Sequence, residues 1–155
     1  MVLRVSRAGV CGTDIHYYRD GRNGSFVVRM PFVLGHEFAG EVVERGDGVT
    51  SLAIGDRVAV DPTIPCHVCP QCRRGRSNLC TGMRVFGSAS SMPHLDGGFQ
   101  EYVAVPASCC HRLPDSVDYA TGALLEPLAV AAHAVERSGG VAGKRVLITG
   151  VGAIG

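Results

Sequence analysis

Four of the seven cysteines crowd into fifteen residues, and this cluster constrains the chain more than any other feature. The spacing is C-x2-C-x2-C-x7-C, formed by Cys66, Cys69, Cys72 and Cys80. An odd total, with four thiols so close together, does not match the disulfide framework of a small secreted protein. We therefore predict metal binding in a reducing compartment and expect a cytoplasmic protein.

The spacing also indicates which metal the cysteines bind. Two-residue gaps let successive thiolates turn toward one ion, and four thiolates suit a tetrahedral structural Zn²⁺ with no open position. The alternative, an iron–sulfur cluster of the bacterial ferredoxin type, has three residues before its fourth cysteine and a proline after it. Here seven residues precede Cys80 and Thr81 follows it, which favours zinc over iron. Four unligated thiols are the remaining alternative. We call residues 62–83, which have no periodicity of their own, the four-cysteine lobe.

Length and charge set further limits. The chain has 155 residues, of which 46% are hydrophobic and 19% charged, and its formal net charge is +1. This length suffices for one domain with a core, but not for two full domains. The small net charge gives no support to nucleic-acid binding, and no apolar run approaches the length of a membrane span. We expect neither nucleic acid nor a membrane as a partner.

The predicted elements change character along the chain. Short β-branched or alternating segments predict strands at Val2–Val5, Glu37–Glu44, Arg57–Asp61 and Glu101–Val105. An alanine-rich helical pattern follows from Asp118 to Arg137, and Pro127 divides it by opening the second helix. Lys144–Thr149 then predicts a buried strand. The expected fold class is mainly β with some α, passing into an α/β unit.

A second candidate site is scattered over the chain and comprises Cys11, His36, Glu37 and Glu126. Cys11 opens the run CGTDIH, which places a thiolate, a hydroxyl and an imidazole within one turn. Glu126 precedes a proline at the start of a predicted helix, where the dipole favours a carboxylate. Mixed cysteine, histidine and carboxylate ligands with one exchangeable position are what a catalytic zinc requires. On spacing alone, ordinary packing roles for these residues remain equally open.

Several motifs, taken in chain order, resemble those of the medium-chain zinc-dependent alcohol and polyol dehydrogenases. They are CGTDIH at 11–16, GHEFAGEVVERGDGV at 35–49, the four-cysteine spacing, DGGF at 96–99 and EPLA at 126–129. Together they cover nearly the whole chain and are more specific than any one motif. Segments 11–28 and 83–99 look most like the members that act on L-idonate, followed by those that act on sorbitol. Glu126, where classical alcohol dehydrogenases carry a cysteine, supports this polyol branch.

The resemblance implies two zinc ions. Cys11 and His36 match ligands of a catalytic zinc, with Glu37 and Glu126 as further ligands or as partners of a bound water. The four cysteines of the lobe match the ligands of a structural zinc. Cys109 and Cys110 match no ligand position.

The resemblance also implies roles in proton transfer and substrate binding. Thr13 matches the hydroxyl that passes the substrate proton onward, and His16 is a possible second relay. Tyr17 and Phe86 match positions that line the substrate pocket, although core packing is an equal alternative for each.

A glycine motif, Gly150, Gly152 and Gly155, directly follows the predicted strand at 144–149. The pattern G-x-G-x-x-G between a strand and a helix is the dinucleotide-binding fingerprint, so these glycines are expected to bind NAD or NADP. The acidic residue that separates the two cofactors would lie about twenty residues further on. We therefore expect this chain to be an internal fragment of a longer dehydrogenase.

The resemblance implies three regions. Residues 1–117 correspond to a GroES-like catalytic domain, truncated at its start, that contains the four-cysteine lobe at 62–83. Residues 118–143 form connecting helices, and residues 144–155 begin a Rossmann NAD(P)-binding domain.

The activity that the resemblance implies is oxidation of a secondary alcohol of a polyol or sugar acid. L-idonate, oxidised to 5-keto-gluconate with NAD(P)⁺ as hydride acceptor, is the expected substrate. The alternatives are a sorbitol (L-iditol) or threonine dehydrogenase homologue and an inactive zinc-binding fragment. The full-length enzyme is expected to be a homo-oligomer, dimer or tetramer, and the isolated chain to be inactive.

Overall fold

A computed structural model describes residues 1–152 and 154. The strands, numbered in chain order, are β1 (Val2–Gly9), β2 (Arg22–Asn23), β3 (Phe26–Val27), β4 (Glu37–Glu44), β5 (Arg57–Val60), β6 (Thr63–Ile64), β7 (Arg84–Val85), β8 (Tyr102–Ala104) and β9 (Cys110–Arg112). The α-helices are α1 (Gly12–Asp20), α2 (Pro70–Arg73), α3 (Tyr119–Ala123) and α4 (Leu125–Arg137). Short 3-10 turns lie at Ser77–Leu79 and Ala107–Cys109.

The central element is a five-stranded antiparallel sheet in the order β8-β1-β4-β5-β9. Two further sheets have two strands each, β2 with β3 and β6 with β7, and the four cysteines lie between β6 and β7 in the chain. The predicted strand Glu37–Glu44 coincides with β4, and β5 and β8 fall within their predicted ranges. Strand β1 is longer than predicted because it continues along β4 as far as the pair Gly9 and Glu37. The mainly β fold class is confirmed.

Both faces of β4 are covered, which explains its almost complete burial. On one face Phe38 and Val42 join the main core with Leu3, Val58 and Phe86. The opposite face is closed by α3, and the residues that meet there are Ala39, Ala59, Leu113 and Ala123. Because small side chains fill this second layer, α3 packs close to the strand that carries the candidate site.

The helical pattern at 118–137 divides as predicted. Helix α3 ends at Ala123, and α4 begins at Leu125 with Pro127 in its first turn, where a missing N–H costs nothing. Asp118 caps α3, since its Oδ1 accepts a hydrogen bond from the Thr121 N–H at 2.7 Å. No helix among residues 1–152 is both long and apolar enough to cross a membrane.

The predicted buried strand at 144–149 is wrong. This segment has no strand pairing, and Val146, Leu147 and Ile148 are largely exposed. A buried parallel strand requires hydrogen-bonded neighbours and helices over its faces. No part of the described chain provides either for this segment, so its β-forming sequence stays irregular.

Candidate metal centres

The four-cysteine lobe brings its thiols together. The Sγ atoms of Cys66, Cys69, Cys72 and Cys80 all lie within 4.8 Å of one another. Local geometry explains the convergence, because Cys69 is the N-cap of α2 and its Sγ accepts from the Cys72 N–H at 3.5 Å. The Cys66 N–H in turn donates to the Cys80 Sγ at 3.2 Å.

The electrostatics of the lobe match a bound cation. Backbone N–H donors, chiefly that of Cys72, lower the pKa of Cys69 to about 5 and thus favour its thiolate. Desolvation, followed by the neighbouring Cys69, raises the pKa of Cys72 to about 12. Several thiolates this close repel one another unless a cation lies between them. Four soft donors with no further ligand position match a structural Zn²⁺.

A second cluster lies where the ends of two neighbouring strands, β1 and β4, meet. One ligand atom each from Cys11, His36 and Glu37 lies within 4.8 Å of the others, and we call these three residues the Cys11 site. Cys11 lies just beyond β1 at the N-cap of α1, whereas His36 and Glu37 lie at the start of β4. The antiparallel pairing of β1 with β4 therefore brings them together. His36 and Glu37 are buried, and Cys11 is half-buried.

Asp14 organises this site and was assigned no role from the sequence. Its Oδ2 accepts from the Cys11 N–H at 2.9 Å, and its Oδ1 accepts from the Gly35 N–H at 3.0 Å. The same Oδ1 lies 3.6 Å from Nδ1 of His36, so a single buried carboxylate touches both segments that carry the ligands. The sequence did contain a signal for this role of Asp14. Asp14 follows Cys11 by three residues, which is the spacing of a capping box at the start of a helix.

The Asp14 and His36 pair also sets the charge of the site. Burial acts to lower the pKa of His36, but hydrogen bonding to Asp14 and Cys11 outweighs it and raises the pKa to about 9. Burial acts to raise the pKa of Asp14, but bonds from His36 and from backbone N–H groups hold it below its ordinary value. Because Nδ1 of His36 faces Asp14, Nε2 is the ring nitrogen left for a metal.

Glu126 lies outside the three-residue cluster. It faces a cavity of about 540 Å³ between α4 and β5, whose lining also includes Asp61, His111 and His133. Burial raises the pKa of Glu126, and the charges of His36 and Glu37 act on it as well. Glu126 is therefore near the Cys11 site without lying within its 4.8 Å limit.

The two candidate relay residues lie in different environments. Thr13 is half-buried, and its Oγ1 accepts from the Asn23 side chain at 3.2 Å. His16 is exposed and lies 3.1 Å from Asp20 on the outer face of α1. Thr13 is therefore partly shielded from solvent, whereas His16 faces it.

The two candidate pocket residues, Tyr17 and Phe86, have different neighbours. Tyr17 is buried, and its hydroxyl bonds Ser88 Oγ at 3.2 Å and accepts from the Ala89 N–H at 3.2 Å. Phe86 lies in the main core, edge-on to Phe38 with ring centroids 6.3 Å apart. This position supports core packing for Phe86 over a place in a substrate pocket.

The predicted dinucleotide motif lies largely outside ordered secondary structure. Gly150 and Gly152 are exposed, and Gly150 has a φ of 81°. Gly155 lies outside the described residues. Without a preceding strand, Gly150 and Gly152 do not lie in the strand-and-turn arrangement that the fingerprint requires.

The two clusters differ in the chemistry that they can support. The lobe offers four donors of one kind, which leave no position for a substrate. The Cys11 site offers a thiol, an imidazole and a carboxylate, which match a zinc with an exchangeable position. The buried Asp14 lies 3.6 Å from Nδ1 of His36, on the side where metal-binding histidines usually have a carboxylate partner.

Residues 1–115 match the alcohol dehydrogenase GroES-like domain family. The chain is 45% identical over 154 residues to L-idonate 5-dehydrogenase (NAD(P)(+)) of Escherichia coli (strain K12), covering 99% of this chain and 44% of that protein. It is 41% identical over 155 residues to the Emericella nidulans protein named "Probable D-xylulose reductase A", covering 100% of this chain and 42% of that protein.

A solved structure shows the same similarity. The crystal structure of L-idonate 5-dehydrogenase from Escherichia coli superimposes with a TM-score of 0.92 at 44% identity, covering 99% of this chain and 44% of that one. The chain thus spans less than half the length of the relatives that it matches. Since the family match extends over residues 1–115 of 155, the chain belongs to the alcohol dehydrogenase GroES-like domain family.

Proposed function

We propose that the protein carrying this chain oxidises a secondary alcohol of a sugar acid or polyol, with L-idonate converted to 5-keto-gluconate and NAD(P)⁺ as hydride acceptor. The observation that carries the proposal is the convergence of Cys11, His36 and Glu37 within 4.8 Å. The choice of substrate is supported by the 45% identity to an L-idonate 5-dehydrogenase.

Each residue of the site has a role in this proposal. Cys11, His36 and Glu37 would hold a Zn²⁺, and Asp14 orients His36 through its Nδ1. The zinc supplies Lewis-acid polarisation of the substrate oxygen, and the nicotinamide supplies the hydride acceptor. Thr13 would take up the hydroxyl proton within the interior, and Tyr17 would bound the substrate space. His16 would complete the relay to solvent, and its exposed ring supports this role.

The remaining candidate residues extend this scheme. Glu126 would act as a further ligand or as a partner of a bound water, since it is half-buried beside the Cys11 site. Cys66, Cys69, Cys72 and Cys80 would hold a structural zinc. Gly150, Gly152 and Gly155 would contact NAD or NADP in the full-length enzyme.

A related polyol is the second candidate substrate class. The 41% identity to a protein named as a D-xylulose reductase favours it. Sorbitol or L-iditol would require the same zinc and the same oxidation of a secondary alcohol. A threonine dehydrogenase and a zinc-binding segment without activity are the other outcomes of the test.

The decisive test uses the natural-length protein that contains this chain. Purified protein is assayed by nicotinamide reduction with L-idonate, sorbitol, L-iditol, xylitol and L-threonine, each with NAD⁺ and NADP⁺. We expect the highest kcat/KM with L-idonate. A protein that binds zinc at both sites but oxidises none of these substrates would contradict the proposal.

The isolated chain provides a second test. We expect it to bind about two zinc ions and to show no dehydrogenase turnover, because Gly150 and Gly152 lie in an irregular, exposed segment. Metal analysis by mass spectrometry would give the count. Iron in place of zinc would contradict both site assignments, and robust L-idonate oxidation would contradict the expected inactivity.

The wider assignments belong to the same proposal. Residues 1–117 would form the catalytic domain, 118–143 the connecting helices and 144–155 the start of the nucleotide-binding domain. A reducing compartment such as the cytoplasm belongs to the proposal as well, because four cysteines within fifteen residues suit metal binding rather than a disulfide framework. A homo-oligomer of the natural-length protein would be detected by light scattering.

A further inference from the structure

We infer that Gly9 is a positioning residue for the Cys11 site, because the space left by its missing side chain is occupied by the Glu37 carboxylate. This inference rests on the proposed metal site and extends it to a residue that touches no metal. Gly9 ends β1 and Glu37 begins β4, and the two residues lie directly opposite each other in the antiparallel register.

The evidence is the contact that a side chain at position 9 would make. A Cβ on Gly9 would overlap the Glu37 Oε2 and would lie 3.2 Å from its Cβ and 3.3 Å from its Cδ. Any residue other than glycine therefore requires the carboxylate to move. Since Glu37 lies within 4.8 Å of both Cys11 and His36, such a movement changes the donor set of the site.

The sheet itself does not require a glycine at position 9. Its φ lies outside the left-handed region, so alanine can adopt the same backbone conformation. The overlapped atom is the far end of a flexible side chain, so the Glu37 carboxylate can move while the strands stay paired. Gly9 thus affects the site more than the fold.

Gly40 provides a contrast within the same pair of strands. A Cβ on Gly40 would overlap the backbone oxygen of Arg4, which cannot move without disturbing the pairing of β1 with β4. The pairing of the strands therefore requires a glycine at position 40, whereas at position 9 it is the place of the Glu37 carboxylate that requires one. Gly48 serves as a neutral control, because it lies in an exposed turn where an added methyl group would meet no atom within 4 Å.

The test measures Zn²⁺ affinity by competition with a chromophoric chelator. Gly9→Ala should weaken the more weakly bound zinc about 10- to 100-fold, the range found when groups that orient metal ligands are removed. The thermal midpoint of unfolding of metal-free Gly9→Ala should stay close to that of the metal-free protein without the substitution. Gly48→Ala should change neither quantity, and Gly40→Ala should lower the thermal midpoint.

A double-mutant cycle separates this role from a general effect on the strand. In a Glu37→Ala background, Gly9→Ala should cause no further loss of zinc affinity, because the displaced group is already absent. Equal losses in both backgrounds, or no loss in either, would overturn the inference. If Gly9→Ala alone fails to fold, recovery of folding in the double variant supports the inference, and continued failure overturns it.

A crystal structure of the metal-free Gly9→Ala variant gives a readout that is independent of zinc. We expect the Glu37 carboxylate to lie away from Cys11 and His36, and an unchanged carboxylate position would overturn the inference. If the starting protein binds only the zinc of the four-cysteine lobe, the proposed function fails, whereas the carboxylate position still decides the role of Gly9.

Discussion

The four-cysteine lobe and the Cys11 site differ in how their ligands are brought together. The lobe draws its four thiols from residues 66–80, a single stretch held by α2 and a 3-10 turn. The Cys11 site joins residues 11 and 36–37 through the pairing of two long strands. The first site can form from local geometry, whereas the second exists only when the sheet has formed.

This difference matches what each site can contribute. Four identical soft donors would close the coordination of a metal in the lobe, so that metal would stabilise a loop. The Cys11 site has three different donors, with His36 and Glu37 buried, and a Zn²⁺ held by them would keep one exchangeable position for a substrate. Loss of the metal in the four-cysteine lobe should therefore reduce stability. Loss of the metal at the Cys11 site should reduce activity with little change in the fold.

The largest effect is expected from Cys72→Ser in the lobe. It removes one of four ligands, and the lobe has no apolar core of its own to replace the metal. We expect zinc content to fall from about two ions to about one, and the thermal midpoint to fall by about 15 °C. Calorimetry and metal analysis provide the two measurements.

Cys110→Ser is the matched control, because Cys110 belongs to neither cluster. It should keep both metals. Equal zinc content in Cys72→Ser and Cys110→Ser would show that the lobe does not bind zinc through its four thiols.

A smaller loss of stability is expected from Asp14→Ala. It leaves the N–H groups of Cys11 and Gly35 without their acceptor, which should lower the free energy of unfolding by about 2–3 kcal/mol in metal-free protein. Denaturant unfolding measures this change. Asp20→Ala, at an exposed position on the same helix, should have little effect, and equal losses in both variants would contradict the role of Asp14.

His36→Ala should separate activity from stability. It removes a metal ligand but leaves both backbone bonds to Asp14, so we expect a cost of only about 1 kcal/mol in metal-free protein. In the natural-length protein, activity should fall below detection and zinc content by about one ion. His16→Ala should keep its full zinc content; a His36→Ala variant that also keeps it would place the second metal elsewhere.

The smallest change in stability is expected from Glu126→Gln. This variant tests whether the Cys11 site holds its metal with three or four protein ligands. Because Glu126 lies outside the 4.8 Å cluster, we expect both zinc ions to remain and the free energy of unfolding to change by less than about 0.5 kcal/mol. Chelator competition measures the affinity. A loss of zinc as large as that of His36→Ala would make Glu126 a direct ligand.

Features that depend on local sequence were predictable. The lobe follows from the spacing of its cysteines, β4 coincides with its predicted range, and Pro127 marks the start of α4. The lobe and the start of α4 depend on neighbours within a few residues, such as a backbone N–H that reaches a thiol or a proline that lacks one, whereas β4 was predicted from its strand-forming residues. The family, too, could be recognised from the order of the motifs.

Features that depend on distant partners did not follow from local sequence, and the grouping of Cys11, His36 and Glu37 was expected chiefly from the family resemblance. Residues 144–149 have the composition of a strand but no strand beside them, because hydrogen bonding to a neighbour decides a sheet and composition does not. Phe86 joins the core and His16 faces solvent because of what packs around them. The sequence determined which side chains were available for metal chemistry; only the pairing of β1 with β4 decided that Cys11, His36, Glu37 and Asp14 meet.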